Sequence, residues 1–338
     1  MQKTLMIYNG DNPVHRAFGD SVNAVPYVIR ERVMKKQFAP VKMLRLLKNS
    51  LSVPRGFPII LAESAYYYPA IKKRAHLLDS KIVNINCGPL IFNILKKRLG
   101  GMERAVLLSL LKEVSGHLVL GEYGREILNK ADPGKPLRVV YPFVSDNRMN
   151  ALKKLKISLN ANNITILATN DIHCKGLDIA IEAFNKVFEK RKDVVLNIAG
   201  NVDIAKLRGL NLKKSGRIRF LGVVTDVAAL LARTSLYIQP SRGDTFPVAS
   251  LEAMAAGIPT IVSEETGTKE VVEKVRKDFV VPLNSAALAN KIIEYFEMRE
   301  DEKRKLGEEF RKAAEPFNEK EQLENFKKQF LDLVREIQ

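Results

Sequence analysis

The chain has 338 residues, 46% hydrophobic and 28% charged, a globular composition with more length than one core usually takes and enough for two domains. No apolar run approaches the ~18 residues of a membrane-crossing helix, and two cysteines far apart, Cys87 and Cys174, give neither a disulfide framework nor metal-ligand spacing. The net charge of +17 is uneven: residues 1–150 hold 24 Lys and Arg against 11 Asp and Glu, while residues 151–338 hold 31 against 27.

In chain order, the opening "MQKTLMIYNGDNP" carries a short apolar strand and no signal-peptide pattern, so the expectation is a cytoplasmic chain. "TLMIYNG", "GFPIILAES", "KIVNINCG", "GHLVLGEYG" and "LRVVYPFV" read as strands of a first series whose second strand is not identifiable. The proline and polar cluster in "YPFVSDNRMN" ends that series. "ITILAT", "VVLNIAG", "IRFLG", "LYIQPS", "IPTIVS" and "FVVP" then form a second, alternating with helical patterns. The best helix is "KGLDIAIEAFNKVFEK", in which Leu177, Ala180, Ile181, Phe184, Val187 and Phe188 share one face. Apolar strands without polar alternation, separated by helices, indicate parallel sheets covered on both faces. The predicted fold is α/β, with two tandem Rossmann-like doubly wound domains at residues 1–148 and 149–316 facing a central crevice. A last helix over 317–338, with Leu323, Phe326, Phe330 and Val334 on one stripe, is expected to pack back across the domains.

"PSRGDTFPVASLEAMAAGIP", residues 240–259, places two acids, Asp244 and Glu252, eight positions apart, the second inside an apolar helical run. A carboxylate there needs hydrogen-bond donors. Thr245 is the expected N-cap, Pro247 suits the first turn and Gly257 the C-terminus. The backbone amides of Phe246 and Val248 then open on a site that attracts phosphate. A ligand along this helix would set a sugar at Asp244, a diphosphate at the amides and a ribose at Glu252, whose hydroxyls would be the missing donors.

This stretch, with "KGLDIAIEAFNKVF", "LNIAGN", "IRFLGVVTDVAALLARTSLYIQPS" and "GTKEVV" in the same order, resembles the E-x7-E signature of GT-B retaining glycosyltransferases of group 1. The resemblance covers residues 160–275. It implies that Glu252 contacts the donor ribose, Asp244 the donor sugar, and Lys175 with the amides of Phe246 and Val248 the diphosphate. Four positions depart from the pattern. Asp244 stands for a glutamate and Asn170 for an arginine. The glycine pair near the N-terminus is reduced to "FGDS" with Gly19, and Cys87 replaces a histidine near the acceptor. His173, in the Lys175 loop, would partly compensate for Asn170. The implied activity is hexosyl transfer from a nucleotide-diphosphate sugar, UDP- or GDP-linked, to an acceptor hydroxyl. The leaving diphosphate would take the acceptor proton, and no D-x-D motif or metal is called for. Two alternatives stand beside it: a degenerate protein that only binds nucleotide sugar or serves as a scaffold, motivated by Asn170 and Asp244, and, with less support, a basic nucleic-acid-binding protein.

Other polar residues carry less specific signals. Lys175 begins a helix, where a cation is unfavourable beside the dipole unless an anion is bound. Arg242 reads equally as a phosphate contact or a solvated side chain, and His173 first as a solvated loop residue. His15, in the first strand–helix loop, is the acceptor-side candidate, while His76 and His117 read as structural. No Ser/His/Asp arrangement or Cys/His zinc spacing is present. The basic stretch "IRERVMKKQFAPVKMLRLLKNSLSVPR", residues 29–55, holds eight cations and one acid. Lys42, Arg45 and Lys48 recur against Val41, Leu44, Leu47 and Leu51 as in an interfacial amphipathic helix. The expected partners are therefore a nucleotide-sugar donor, an anionic or lipid-linked acceptor and an anionic membrane face. A nucleic-acid partner is not expected, because the aromatic-and-basic platforms of such binders are missing.

Overall fold

The computed structural model describes residues 3–8, 12–28, 53–54, 56–63, 80–86, 90–96, 100–168, 171–207, 209–210, 212 and 216–338. The chain divides into two compact units, residues 1–142 with 320–338, and residues 143–319.

The first unit is built on β1 (Thr4–Tyr8), β2 (Val25–Val28), β3 (Ile59–Ala62), β4 (Lys81–Asn86), β5 (Gly116–Leu120) and β6 (Leu137–Val140), with helices α1 (Pro13–Ser21), α2 (Leu90–Leu95), α3 (Gly101–Leu111) and α4 (Gly121–Ala131). Its strands run parallel in the order β2-β1-β3-β4-β5-β6. All residues of β1, β3 and β5 are buried, as the unbroken apolar runs dictate for strands covered on both faces. The strand not identifiable in sequence is β2, "VPYV", with Val25 and Val28 both exposed. Its proline is tolerated because β2 is an edge strand, and that proline hides the strand from pattern reading.

The second unit contains α5 (Asp146–Lys153), β7 (Asn163–Leu167), α6 (Leu177–Lys190), β8 (Val195–Ala199), β9 (Ile218–Gly222), α7 (Val227–Ala232), β10 (Leu236–Gln239), α8 (Val248–Ala255), β11 (Thr260–Ser263), α9 (Lys269–Val275), β12 (Val280–Val281), α10 (Ser285–Glu297) and α11 (Glu300–Ala314). Its parallel strands lie in the order β12-β11-β10-β7-β8-β9. The expected α6 stripe is buried from Leu177 to Val187, and Phe188 at its margin is half-buried beneath Lys192.

The units part at Pro142 and Phe143 rather than at the expected 148/149. The amide of Val144 donates to the Phe317 carbonyl at 2.9 Å, and α5 packs on α8, so residues 143–148 already belong to the second core. The last helix, α12 (Glu319–Ile337), belongs from Lys320 onward to the first unit. Phe326 stacks on Phe18 of α1 with ring centroids 4.2 Å apart. Its buried face is wider than the expected stripe: Leu333 and Ile337 are buried, and Leu323 is half-buried.

In each sheet the order reverses at one point. In the second unit, β7 and β10 are neighbours whose following chains lead to opposite sides, which opens a crevice at their C-terminal ends. In the first unit the corresponding point lies between β1 and β3.

Candidate functional site

The loops after β7 and β10 meet at the second unit's switch point and are fastened together. Arg242 donates its amide to the Cys174 carbonyl at 2.7 Å and one guanidinium nitrogen to the His173 carbonyl at 2.9 Å. The same guanidinium makes two 2.7 Å bonds to the Asp178 carboxylate in the first turn of α6. Burial raises the Asp178 carboxyl, and the Arg242 hydrogen bonds and charge outweigh it, so the net shift is below the ordinary carboxylate value. Gly176 caps α6 at φ +64°, and a Cβ there would lie 1.7 Å from the Pro240 carbonyl oxygen. Only glycine lets the two loops come this close.

That docking brings Lys175 Nζ to 2.6 Å from Asp244 Oδ2. Burial pulls the ammonium down, but the Asp244 carboxylate raises it by more, so Lys175 remains cationic. Asp244 takes one of its three N–H donors, leaving two.

Behind the Asp244 loop lies a set of fully buried polar side chains. The Tyr237 phenol, pushed up by burial, donates to Gln239 Oε1 at 2.7 Å, and Gln239 Nε2 donates to Ser241 Oγ at 2.8 Å. Ser263 Oγ donates to the Ser241 carbonyl, and Thr266 Oγ1 to the Gln239 carbonyl. Gly267 packs so closely that a Cβ would meet the Thr245 oxygen at 1.5 Å, and its amide donates to the Asp244 carbonyl. This lattice fixes the loop before any ligand arrives. Tyr237→Phe leaves the Gln239 oxygen unpaired and is expected to cost about 1–3 kcal/mol, read as a lower urea midpoint at unchanged slope.

Helix α8 starts at Val248 with Pro247 as N-cap and no side-chain cap bond. The expected cap, Thr245, is instead buried in the loop, where its carbonyl faces Gly267. The Phe246 ring is buried against Phe317 at 5.4 Å, so only its backbone can serve a ligand. Gly257 ends the helix at φ +83°, as expected. Glu252 is not left waiting for a ribose: Arg148 Nε, on α5, donates to its Oε1 at 2.8 Å.

The remaining predicted residues separate. His173, with Asp171, Asp178 and Lys206, lines an open pocket of about 430 Å³ beside the Lys175 loop. Gly19 sits within α1, where a Cβ would lie 2.2 Å from the Tyr8 hydroxyl oxygen; packing against β1, rather than a ligand loop, accounts for this glycine. His15 is buried at the first unit's switch point and pairs through Nδ1 with Glu63, which follows β3. His117 is fully buried between Asn84 and Asp132, as a structural histidine should be. Asn170, His76, Cys87 and the cations Lys42, Arg45 and Lys48 lie outside the described residues. Sequence reasoning missed Arg148, Glu63 and Asp178. Asp178, four positions before Glu182 on a good amphipathic helix, gave no signal beyond that of a first-turn acid, and the other two pair across long sequence separations.

Residues 162–298 match the family model "Glycosyl transferases group 1". The chain is 24% identical over 232 residues to a phosphatidyl-myo-inositol mannosyltransferase of Mycobacterium tuberculosis. That match covers 65% of this chain and 61% of the relative's length. Among solved structures, sucrose-phosphate synthase from Thermosynechococcus elongatus superposes with a TM-score of 0.75 at 16% identity, over 100% of this chain and 99% of the other. Anabaena HepE in complex with UDP-glucose superposes with a TM-score of 0.72 at 16% identity, over 99% and 100%. The two parallel six-stranded sheets are those of the GT-B fold.

Proposed function

We propose, from the match of residues 162–298 to the group 1 glycosyltransferase model and from the GT-B fold, that the protein is a retaining glycosyltransferase that moves a hexosyl unit from a UDP- or GDP-sugar to an acceptor hydroxyl. One observation carries this reading: Lys175 and Asp244 meet at the β7/β10 switch point, beside the amide-bearing start of α8. Lys175 and the Val248 amide would take the diphosphate, Asp244 the transferred sugar and Glu252 the ribose. As the bond from the anomeric carbon to the diphosphate oxygen breaks, that oxygen accepts the acceptor proton, and the acceptor oxygen bonds the same face. The protein's part is orientation and stabilisation of the departing charge, for which this reading uses Lys175 and backbone amides and no metal. The relative named for phosphatidyl-myo-inositol and the basic first half support an anionic or lipid-linked acceptor, with the His15–Glu63 pair on the acceptor side.

The test is release of nucleoside diphosphate from a panel of UDP- and GDP-sugars, with the anomeric configuration of the product read by proton NMR. Transfer with an unchanged anomer supports the proposal. Tight binding of nucleotide sugars without transfer to any acceptor would favour a binding protein, the reading that Asn170 and Asp244 motivate.

No helix among the described residues is long and apolar enough to cross a membrane. Attachment to an anionic membrane would therefore rest on the basic stretch, at about 1 kcal/mol per cation near the surface. Co-sedimentation with anionic vesicles is expected for the parent, to weaken with salt, and to fall for a Lys42→Glu, Arg45→Glu, Lys48→Glu triple variant. Equal, negligible sedimentation of both would point to a soluble acceptor.

A further inference from the structure

The contact between Arg148 and Glu252 leaves much of both side chains unused. It is a single bond, Arg148 Nε to Glu252 Oε1, between side chains 29% and 18% exposed. Among the described residues no other hydrogen bond or ion pair engages either one. An arginine that serves only to neutralise a carboxylate commonly does so with two parallel bonds, as Arg242 does with Asp178 in this same unit. Here Glu252 Oε2 remains as an acceptor, and the two terminal nitrogens of Arg148 remain as four N–H donors beside it.

This juxtaposition selects among ligand groups. A phosphate offers only acceptors and would be repelled by Oε2. An ammonium offers only donors and would be repelled by the guanidinium. Two adjacent hydroxyls, each both donor and acceptor, match it: one donates to Oε2 while its neighbour accepts from a terminal nitrogen of Arg148. The position suits such a group as well. Glu252 follows Val248 by four residues on the same face of α8, about 6 Å along the axis at 1.5 Å per residue. A 5′-diphosphate at the start of the helix would reach its ribose diol over a similar span.

We infer that Arg148 and Glu252 together grip the 2′,3′-diol of the nucleotide's ribose, with Arg148 a specificity-determining residue that selects ribonucleotides over deoxyribonucleotides. The inference rests on reading this site as the nucleotide-sugar site and adds to it a residue from α5 whose role the signature segment does not contain.

The experiment is isothermal titration of the full chain with UDP, GDP and their 2′-deoxy counterparts, for the parent, Arg148→Ala, Arg148→Lys and Lys175→Ala. The lysine variant keeps a cation beside Glu252 and guards against a folding defect, which thermal unfolding would register in either variant. The parent is expected to prefer the ribo form by ~10-fold or more, the worth of about one hydrogen bond to a charged group. Both Arg148 variants should bring that ratio close to one, while Lys175→Ala should weaken both forms and leave the ratio intact. A ratio unchanged in Arg148→Lys, or no discrimination by the parent, would overturn the inference while nucleotide binding itself stood. Failure of the parent to bind any of the four nucleotides would instead overturn the reading of the site, and the inference with it.

Discussion

Glu252→Ala is expected to reduce affinity for the nucleoside diphosphate by roughly 2–4 kcal/mol, some 30- to 1,000-fold, while the fold survives. Two effects add. The acceptor facing the ribose diol is lost, and Arg148, less than a third exposed, is left without its carboxylate. Without that partner the Arg148 guanidinium is no longer held toward the diol, so its own hydrogen bond to the ligand weakens as well. The variant's stability should fall much less than its affinity, since Leu251, Ala253 and Met254 hold α8 in the core on either side of the acid. Titration beside a urea melt separates the two. Affinity equal to the parent's would show that Glu252 touches no ligand and serves only to anchor Arg148.

Gly176→Ala should act through geometry instead. At φ +64° any L side chain costs about 1–2 kcal/mol. The added Cβ would also meet the Pro240 carbonyl at 1.7 Å, backbone against backbone, so no rotamer change relieves it. The loop must withdraw, and with it go the Arg242 bonds to Cys174 and His173 and the approach of Lys175 to Asp244. The expected outcome is roughly 3 kcal/mol or more of lost stability, together with a loss of nucleotide affinity resembling that of Lys175→Ala. Unchanged stability would mean that the two loops are not docked as described.

Much of this was legible in the sequence, for identifiable reasons. Buried parallel strands must be apolar on both faces, so "ITILAT", "VVLNIAG" and "LYIQPS" declared themselves, and the helix between the first two showed its 3.6-residue stripe. β2 did not, because an exposed edge strand is under no such demand and can carry Pro26. Asp244 and Glu252 stood out by their spacing and Lys175 through the family resemblance, and the structure brings Lys175 and Asp244 together. What local spacing cannot show is which partner a charge finds. Arg242, expected to reach a phosphate or solvent, is taken by Asp178 across 64 positions, and Glu252 by Arg148 across 104. The N-cap was misplaced because Thr245 is the better capping residue by type, but closure of the loop on Gly267 carries it away from the helix start. Gly19 looked like the remnant of a ligand loop, while the hydroxyl of Tyr8, distant in pattern but adjacent in space, is what excludes a side chain there.

Lys175 and Asp244, which meet at the β7/β10 switch point, are proposed to mark a nucleotide-diphosphate site. Equilibrium titration of UDP and GDP against the full chain and against Lys175→Ala tests this most directly. The parent should bind at least one of the two at a single site, and Lys175→Ala should lose roughly 1.5–3 kcal/mol of that binding, the scale of a charge-assisted hydrogen bond. No binding of either nucleotide by the parent, or affinity undiminished in Lys175→Ala, would contradict it.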